Sequence, residues 1–194
     1  MNANIIKLSV FWISLIGLSA GCVSVPLSTM WKMRHFDFLS TSPSEFRFAV
    51  ITDNTVKFND VSISLSISYK TETPKESVEE KYFAVINPNA IIPELKAKVS
   101  ANQSITQSYL KAEDAQRLKL VQNKINALRD QGIKVEGSLS INVNTGCFTQ
   151  AIPASLIASI YARFDQQGYL PMQQNIDLLK IDEKVDQKLW QQCN

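Results

Sequence analysis

The stretch Val61-Ser62-Ile63-Ser64-Leu65-Ser66-Ile67-Ser68-Tyr69 alternates apolar and hydroxyl side chains without interruption. Successive side chains of a β-strand point to opposite faces, so this period of two residues predicts a strand. One face is apolar and suited to a buried core. The other carries four serines, which we interpret as ordinary solvent-facing residues, with contact to a partner or a glycan as the alternative.

Similar patterns on both sides of this stretch predict further strands. They cover residues 46–51, 81–86, 103–110, 135–143 and 154–164. The connections between the strands at 46–51, 61–69 and 81–86 are too short for crossover helices, so we expect these three to form an antiparallel meander.

One long helix is predicted at Ala112 to Gln131. Its apolar residues recur at helical spacing, and Gly132 follows as a natural stop. Asp182 is placed to cap a short C-terminal helix. The sequence therefore predicts an α+β fold, a mostly antiparallel sheet packed against one long helix.

The amino-terminal end of the chain carries an apolar run that begins near Leu8 and closes in Leu18-Ser19-Ala20-Gly21-Cys22. This run is shorter than the about 20 residues that a membrane-spanning helix needs, and small residues precede the cysteine. The segment resembles the lipobox of bacterial lipoproteins, which signal peptidase II cuts before a cysteine that carries lipid. The resemblance implies a signal peptide at residues 1–21 and lipidation of Cys22.

A lipidated Cys22 implies a partner, the membrane itself, since several acyl chains such as palmitate hold a protein firmly on a bilayer. In Gram-negative lipoproteins an aspartate after the cysteine resembles an inner-membrane retention signal, and here Val23 stands there. We therefore expect a periplasm-facing protein on the outer membrane, with the inner membrane or the cell surface as alternatives. Residues 22–44 are then an apolar tether that docks on a single domain, residues 45–194, with Trp31 and its neighbours in the lipid headgroup layer as the alternative.

The compartment that this resemblance implies is oxidising, which bears on the two remaining cysteines. Cys147 and Cys193 allow only one pairing, and we predict a disulfide bond between them. Two free thiols, or a mixed bond to a partner, are the alternatives.

The sequence contains no recognisable catalytic centre. The formal net charge of +2 gives no electrostatic footprint for nucleic acid. The single histidine, His35, has only Asp37 as a potential metal-binding neighbour. Cys147 lacks the histidine and the arginine that accompany the nucleophile of the cysteine transpeptidases of the envelope. We therefore expect no catalytic residue, no metal site, no cofactor and no nucleic-acid partner.

Taken together, these features favour a non-catalytic binding or structural accessory subunit of the envelope, with another envelope protein as its partner. Two alternatives stay open: an enzyme that acts on the cell wall, and a carrier of an apolar ligand held between sheet and helix. A carrier requires an apolar cavity under the long helix. An enzyme requires convergent polar side chains in a cleft, and an accessory subunit requires an exposed apolar patch or a free sheet edge.

Overall fold

An antiparallel sheet dominates the fold, in a computed structural model that describes residues 36–166, 168–180 and 190–193. The strands within these residues are β1 (Arg47–Asp53), β2 (Val56–Lys57), β3 (Ile63–Thr71), β4 (Glu76–Asn87), β5 (Gln103–Leu110), β6 (Val135–Val143), β7 (Gly146–Phe148), β8 (Ile157–Arg163), β9 (Leu170–Asp177) and β10 (Trp190–Gln192). The helical elements are a 3-10 turn (Pro43–Glu45), α1 (Pro93–Lys96) and α2 (Ala112–Asp130).

Seven strands form the large sheet, in the order β6-β3-β4-β5-β1-β8-β9. Every pair of neighbours in it is antiparallel, as the sequence predicts. The three remaining strands form a small sheet, in the order β10-β7-β2. The fold is therefore sheet-dominated, and α2 is the one long helix among the described residues. The predicted C-terminal helix at Asp182 lies outside those residues.

The predicted meander of β1, β3 and β4 is wrong in its strand order. Strands β3, β4 and β5 are consecutive neighbours, but β1 lies between β5 and β8 rather than beside β3. The cause is β2, which directly follows β1 and pairs with β7 in the small sheet, Val56 opposite Phe148. The chain thus leaves the large sheet after β1 and re-enters it at β3, three positions away.

The helix α2 begins at Ala112, as predicted, and ends at Asp130. Gly132 follows with a φ of 75°, a left-handed conformation that glycine adopts without strain. The buried side of the helix, with Leu118 and Ile125, belongs to the same core as the apolar face of β3. Packing an amphipathic helix on one apolar sheet face buries both, which is what makes each element stable.

Strand β1 is buried on both faces. Phe48 and Val50 point into the main core, which contains α2. Ala49 and Ile51 point the other way, into a smaller core that includes Leu95 of α1. The segment that contains α1 therefore covers the second face of the sheet around β1.

The serine face of β3 is not uniformly solvent-facing, which corrects the interpretation made from the sequence. Ser62 and Ser64 are fully buried. The backbone N–H of Asn59 donates to Ser62 Oγ over 2.9 Å, and the side-chain amide of Asn144 donates to Ser64 Oγ over 3.0 Å. The loop before β3 and the residue that follows β6 thus cover this half of the face, and the other two serines are half-buried.

The small sheet is closed by the predicted cysteine pair. Cys147 of β7 and Cys193, just after β10, form a disulfide with the sulfur atoms 2.07 Å apart. Beside it, the ring of Trp190 lies so close to Gly146 that an added Cβ there would stand 2.8 Å from its Cζ3. Only glycine fits this position without a shift of the buried ring.

Candidate functional site

A cleft of about 300 Å³ lies between α2, the paired strands β3 and β6, and the first described residues of the chain. Its apolar lining includes Phe36, Phe38, Leu39, Ile67, Ile125, Val135 and Leu139. The lining also contains two opposite charges, Asp37 and Arg129. An apolar cavity with a few polar groups is the usual composition of a binding site.

One wall of the cleft comes from the segment 36–41. The ring of Phe36 stacks on Phe164, with centroids 4.6 Å apart, and the ring of Phe38 lies 6.0 Å from that of Phe46. A carboxylate oxygen of Asp37 accepts a hydrogen bond from the backbone N–H of Leu39 over 3.0 Å, which shapes the turn between them. The wall is therefore a folded part of the domain.

This wall belongs to the segment that the sequence analysis assigned to the tether. Its described part, residues 36–44, packs on the domain, with Leu39 buried and Phe36 and Phe38 against the main core. The remaining tether residues, 22–35, lie outside the described part of the chain, and so do Cys22 and His35.

Gln122 of α2 holds the wall in place. Its side chain is completely buried, and the amide nitrogen donates to the backbone carbonyls of Phe38 and Thr41, over 2.5 and 3.0 Å. This residue is not among those predicted from the sequence. The signal was present, because Gln122 follows Leu118 by four residues and therefore lies on the apolar stripe of the helix.

Two ion pairs join α2 to β4 on the neighbouring surface. Arg117 contacts Glu80 over 3.0 Å, and Lys124 contacts Glu76. The hydrogen bond from Lys124 lowers the pKa of the Glu76 carboxyl. A lowered pKa keeps Glu76 ionised at neutral pH, which suits an ion pair rather than a proton donor.

Tyr82 contacts both partners of the ion pair between Arg117 and Glu80. Its buried hydroxyl donates to Glu80 over 2.8 Å, and the guanidinium of Arg117 lies 5.1 Å from the centre of its ring. Burial is the main cause that raises the pKa of the Tyr82 hydroxyl, and the hydrogen bond to Glu80 raises it further. This group therefore stays protonated at neutral pH. These contacts attach the helix to the sheet.

Cys147 and Cys193 do not belong to the cleft. They are joined to each other in the small sheet, and neither is among the residues that line the cavity. A disulfide sulfur has no thiol proton to lose and therefore offers no thiolate nucleophile.

Among the described residues, no three His, Cys, Asp or Glu side chains are grouped so that they could hold a metal ion. Within residues 36–166, 168–180 and 190–193, no helix has the length and apolar character to cross a membrane. No protein family, curated protein or solved structure matches the chain.

Proposed function

We propose that the protein is a lipid-anchored, non-catalytic binding subunit of the bacterial envelope, held on the outer membrane through Cys22 with its domain facing the periplasm. The likeness of residues 18–22 to a lipobox supports the anchor. The disulfide between Cys147 and Cys193 is consistent with an oxidising compartment.

The observation that carries the binding role is the position of the cleft. Its wall begins at Phe36, which follows Cys22 by fourteen positions in the sequence. A chain of that length reaches at most about 50 Å, at roughly 3.5 Å per residue. A cleft so near the anchor is suited to a partner that is itself at the membrane surface.

The size of the cleft favours a protein partner over a whole lipid. Its volume of about 300 Å³ is at the lower end of the range found for small-molecule sites. Such a volume suits one or two large apolar side chains, and buried anchor residues of this kind contribute most of the affinity of many protein interfaces. Arg129 and Asp37 would then contact polar groups that flank the anchor.

Carriage of an apolar ligand is the second candidate. The apolar lining from Ile67, Ile125 and Leu139 supports it, since these residues place the cavity between sheet and helix as a carrier requires. In that case the ligand is a single acyl chain or a body of similar width, because the volume admits little more.

Photo-crosslinking in intact cells tests the binding role. A photoreactive amino acid in place of Arg129, which is exposed and lines the cleft, should give one discrete adduct with an envelope protein. The matched control is the same amino acid in place of Asn123, which is exposed on the same helix and does not line the cleft.

The possible results separate the candidates. An adduct at position 129 with a protein other than a second copy of this chain, and none at position 123, supports the accessory subunit. An adduct whose added mass is that of a lipid supports the carrier. Equal labelling at both positions, or none at 129, contradicts a partner in the cleft.

A further inference from the structure

Strand β6 forms one edge of the large sheet. All nine of its residues pair with β3 in an unbroken register, from Val135 opposite Thr71 to Val143 opposite Ile63. Among the described residues, no strand pairs with its outer side. Alternate backbone N–H and C=O groups of an edge strand point outward and can pair with another strand.

The opposite edge of the sheet differs from this one. Strand β9 contains Pro171, and its register with β8 shifts twice. Asn175 within it has a φ of 54°. Proline and irregular pairing are two of the devices by which proteins protect a sheet edge. Strand β6 has neither a proline nor a register shift, so only this edge is regular enough for a long new pairing.

The sequence of β6 is close to a palindrome around Leu139. The strand reads Val135-Glu-Gly-Ser-Leu-Ser-Ile-Asn-Val143, so valines stand at both ends and serines on both sides of the centre. If two copies of β6 run antiparallel about a two-fold axis at Leu139, each valine faces a valine and Ser138 faces Ser140. Such a self-complementary patch is what a two-fold interface requires.

The charges allow this register. In it Glu136 faces Asn142 of the other copy rather than a second carboxylate. Within its own chain Glu136 is already paired with Lys70 over 3.1 Å and with Lys134 over 2.9 Å. Like charges directly opposite each other destabilise paired strands, and this register contains none.

The two faces of the sheet also stay matched. Val135, Leu139 and Ile141 lie on the face of the main core, and the serines lie on the other face. With the axis at Leu139, the two residues of every cross-strand pair lie on the same face of the joined sheet, because their positions differ by an even number of residues. The half-buried valines and Leu139 would lose further exposed surface in the pair.

We propose that two copies of the chain associate through their β6 strands, in antiparallel register about Leu139, so that the two large sheets become one continuous sheet. This dimer does not rest on the binding role of the cleft. Because Val135 and Leu139 also line the cleft, the two clefts of the dimer lie on either side of the interface between the β6 strands.

Charged substitutions at the two exposed serines test the pairing and its register. In Ser138→Lys/Ser140→Lys, a lysine faces a lysine at both cross-strand positions. The dissociation constant of the dimer should therefore rise at least tenfold. In Ser138→Glu/Ser140→Lys, the same positions carry opposite charges, and the dimer should persist. A third variant, Gln174→Lys, places a lysine on the β9 edge and should leave the dimer unchanged.

The measurement is sedimentation of the mature protein, purified from membranes in detergent micelles, with thermal unfolding of each variant to show that it is folded. We expect a dimer for the unsubstituted protein, the Glu/Lys variant and Gln174→Lys. A monomeric unsubstituted protein overturns the proposal. A dimer that is equally stable in both double variants also overturns it, because the interface would then not be formed by β6.

Discussion

The side-chain amide of Gln122 donates to the backbone carbonyl of Phe38 over 2.5 Å, across 84 positions of sequence. The same nitrogen also donates to the carbonyl of Thr41. Gln122 is completely buried in the middle of α2. This one side chain thus joins the helix to the segment that forms a wall of the cleft.

Replacement of Gln122 by methionine should destabilise the protein measurably. The substitution keeps the size of the side chain but leaves two carbonyls, those of Phe38 and Thr41, without this donor. It also removes one buried and unpaired group, the side-chain oxygen of Gln122. Because two acceptors are left unpaired and one is removed, the net cost in the free energy of unfolding is about 1–3 kcal/mol. Urea denaturation measures the loss. The matched control is Gln116→Met on the exposed side of the same helix, which should change the free energy by less than about 0.5 kcal/mol. Equal effects at both positions would mean that these hydrogen bonds contribute nothing.

The carboxylate of Asp177 should make stability depend on pH. Burial acts to raise the pKa of this group, but hydrogen bonds from the backbone N–H of Leu156, from Lys180 and from the N–H of Leu179 bring it below its ordinary value. Because the pKa is lower in the folded state, the stabilisation is present above the ordinary pKa of an aspartate, about 3.9. It is lost as the pH falls through the lowered value.

The variant Asp177→Asn isolates this effect, because asparagine keeps an oxygen acceptor and removes the charge. The unfolding free energies of the two proteins should differ most above the ordinary aspartate pKa of about 3.9 and converge as the pH falls below the lowered pKa of Asp177. Denaturant titrations across that range measure the difference. A difference in unfolding free energy that stays constant over the whole pH range would show that the charge of Asp177 is not its cause.

The disulfide should contribute a large share of the stability. It closes a loop of 46 residues, which corresponds to about 4 kcal/mol in the chain-entropy model. We expect the double variant Cys147→Ala/Cys193→Ala to lose about 2–5 kcal/mol of unfolding free energy. A reducing agent should produce a similar loss in the unsubstituted protein and none in the variant. Insensitivity of the unsubstituted protein to reduction would contradict the bond.

Strand β3 and helix α2 could be predicted from sequence because each has one face in the core. Burial on one side forces a period of two residues in the strand and of 3.6 in the helix. Strand β1 shows the limit of this argument. Both of its faces are buried, and its neighbours β5 and β8 are distant in sequence, so local periodicity carries no information about its place in the sheet. Strands β2, β7 and β10 have only two or three residues, too few to show a period.

The cleft was harder to predict than the fold. Its walls come from the segment 36–39, from β3 and β6, and from α2, which are brought together only by the order of strands in the sheet. The sequence predicts that an apolar segment docks on the domain, and Phe36 and Phe38 do pack on the core. The sequence does not place that segment beside Arg129, because nothing local to either element specifies the contact.

The proposed membrane location and the oxidising compartment both follow from the lipid at Cys22. Intact mass spectrometry of the mature protein, purified from the membranes of its native host, tests this directly. We predict a chain that lacks residues 1–21 and begins at Cys22, with the added mass of a diacylglyceryl group. A chain that still begins at Met1, or one whose Cys22 carries a free thiol, would contradict the account.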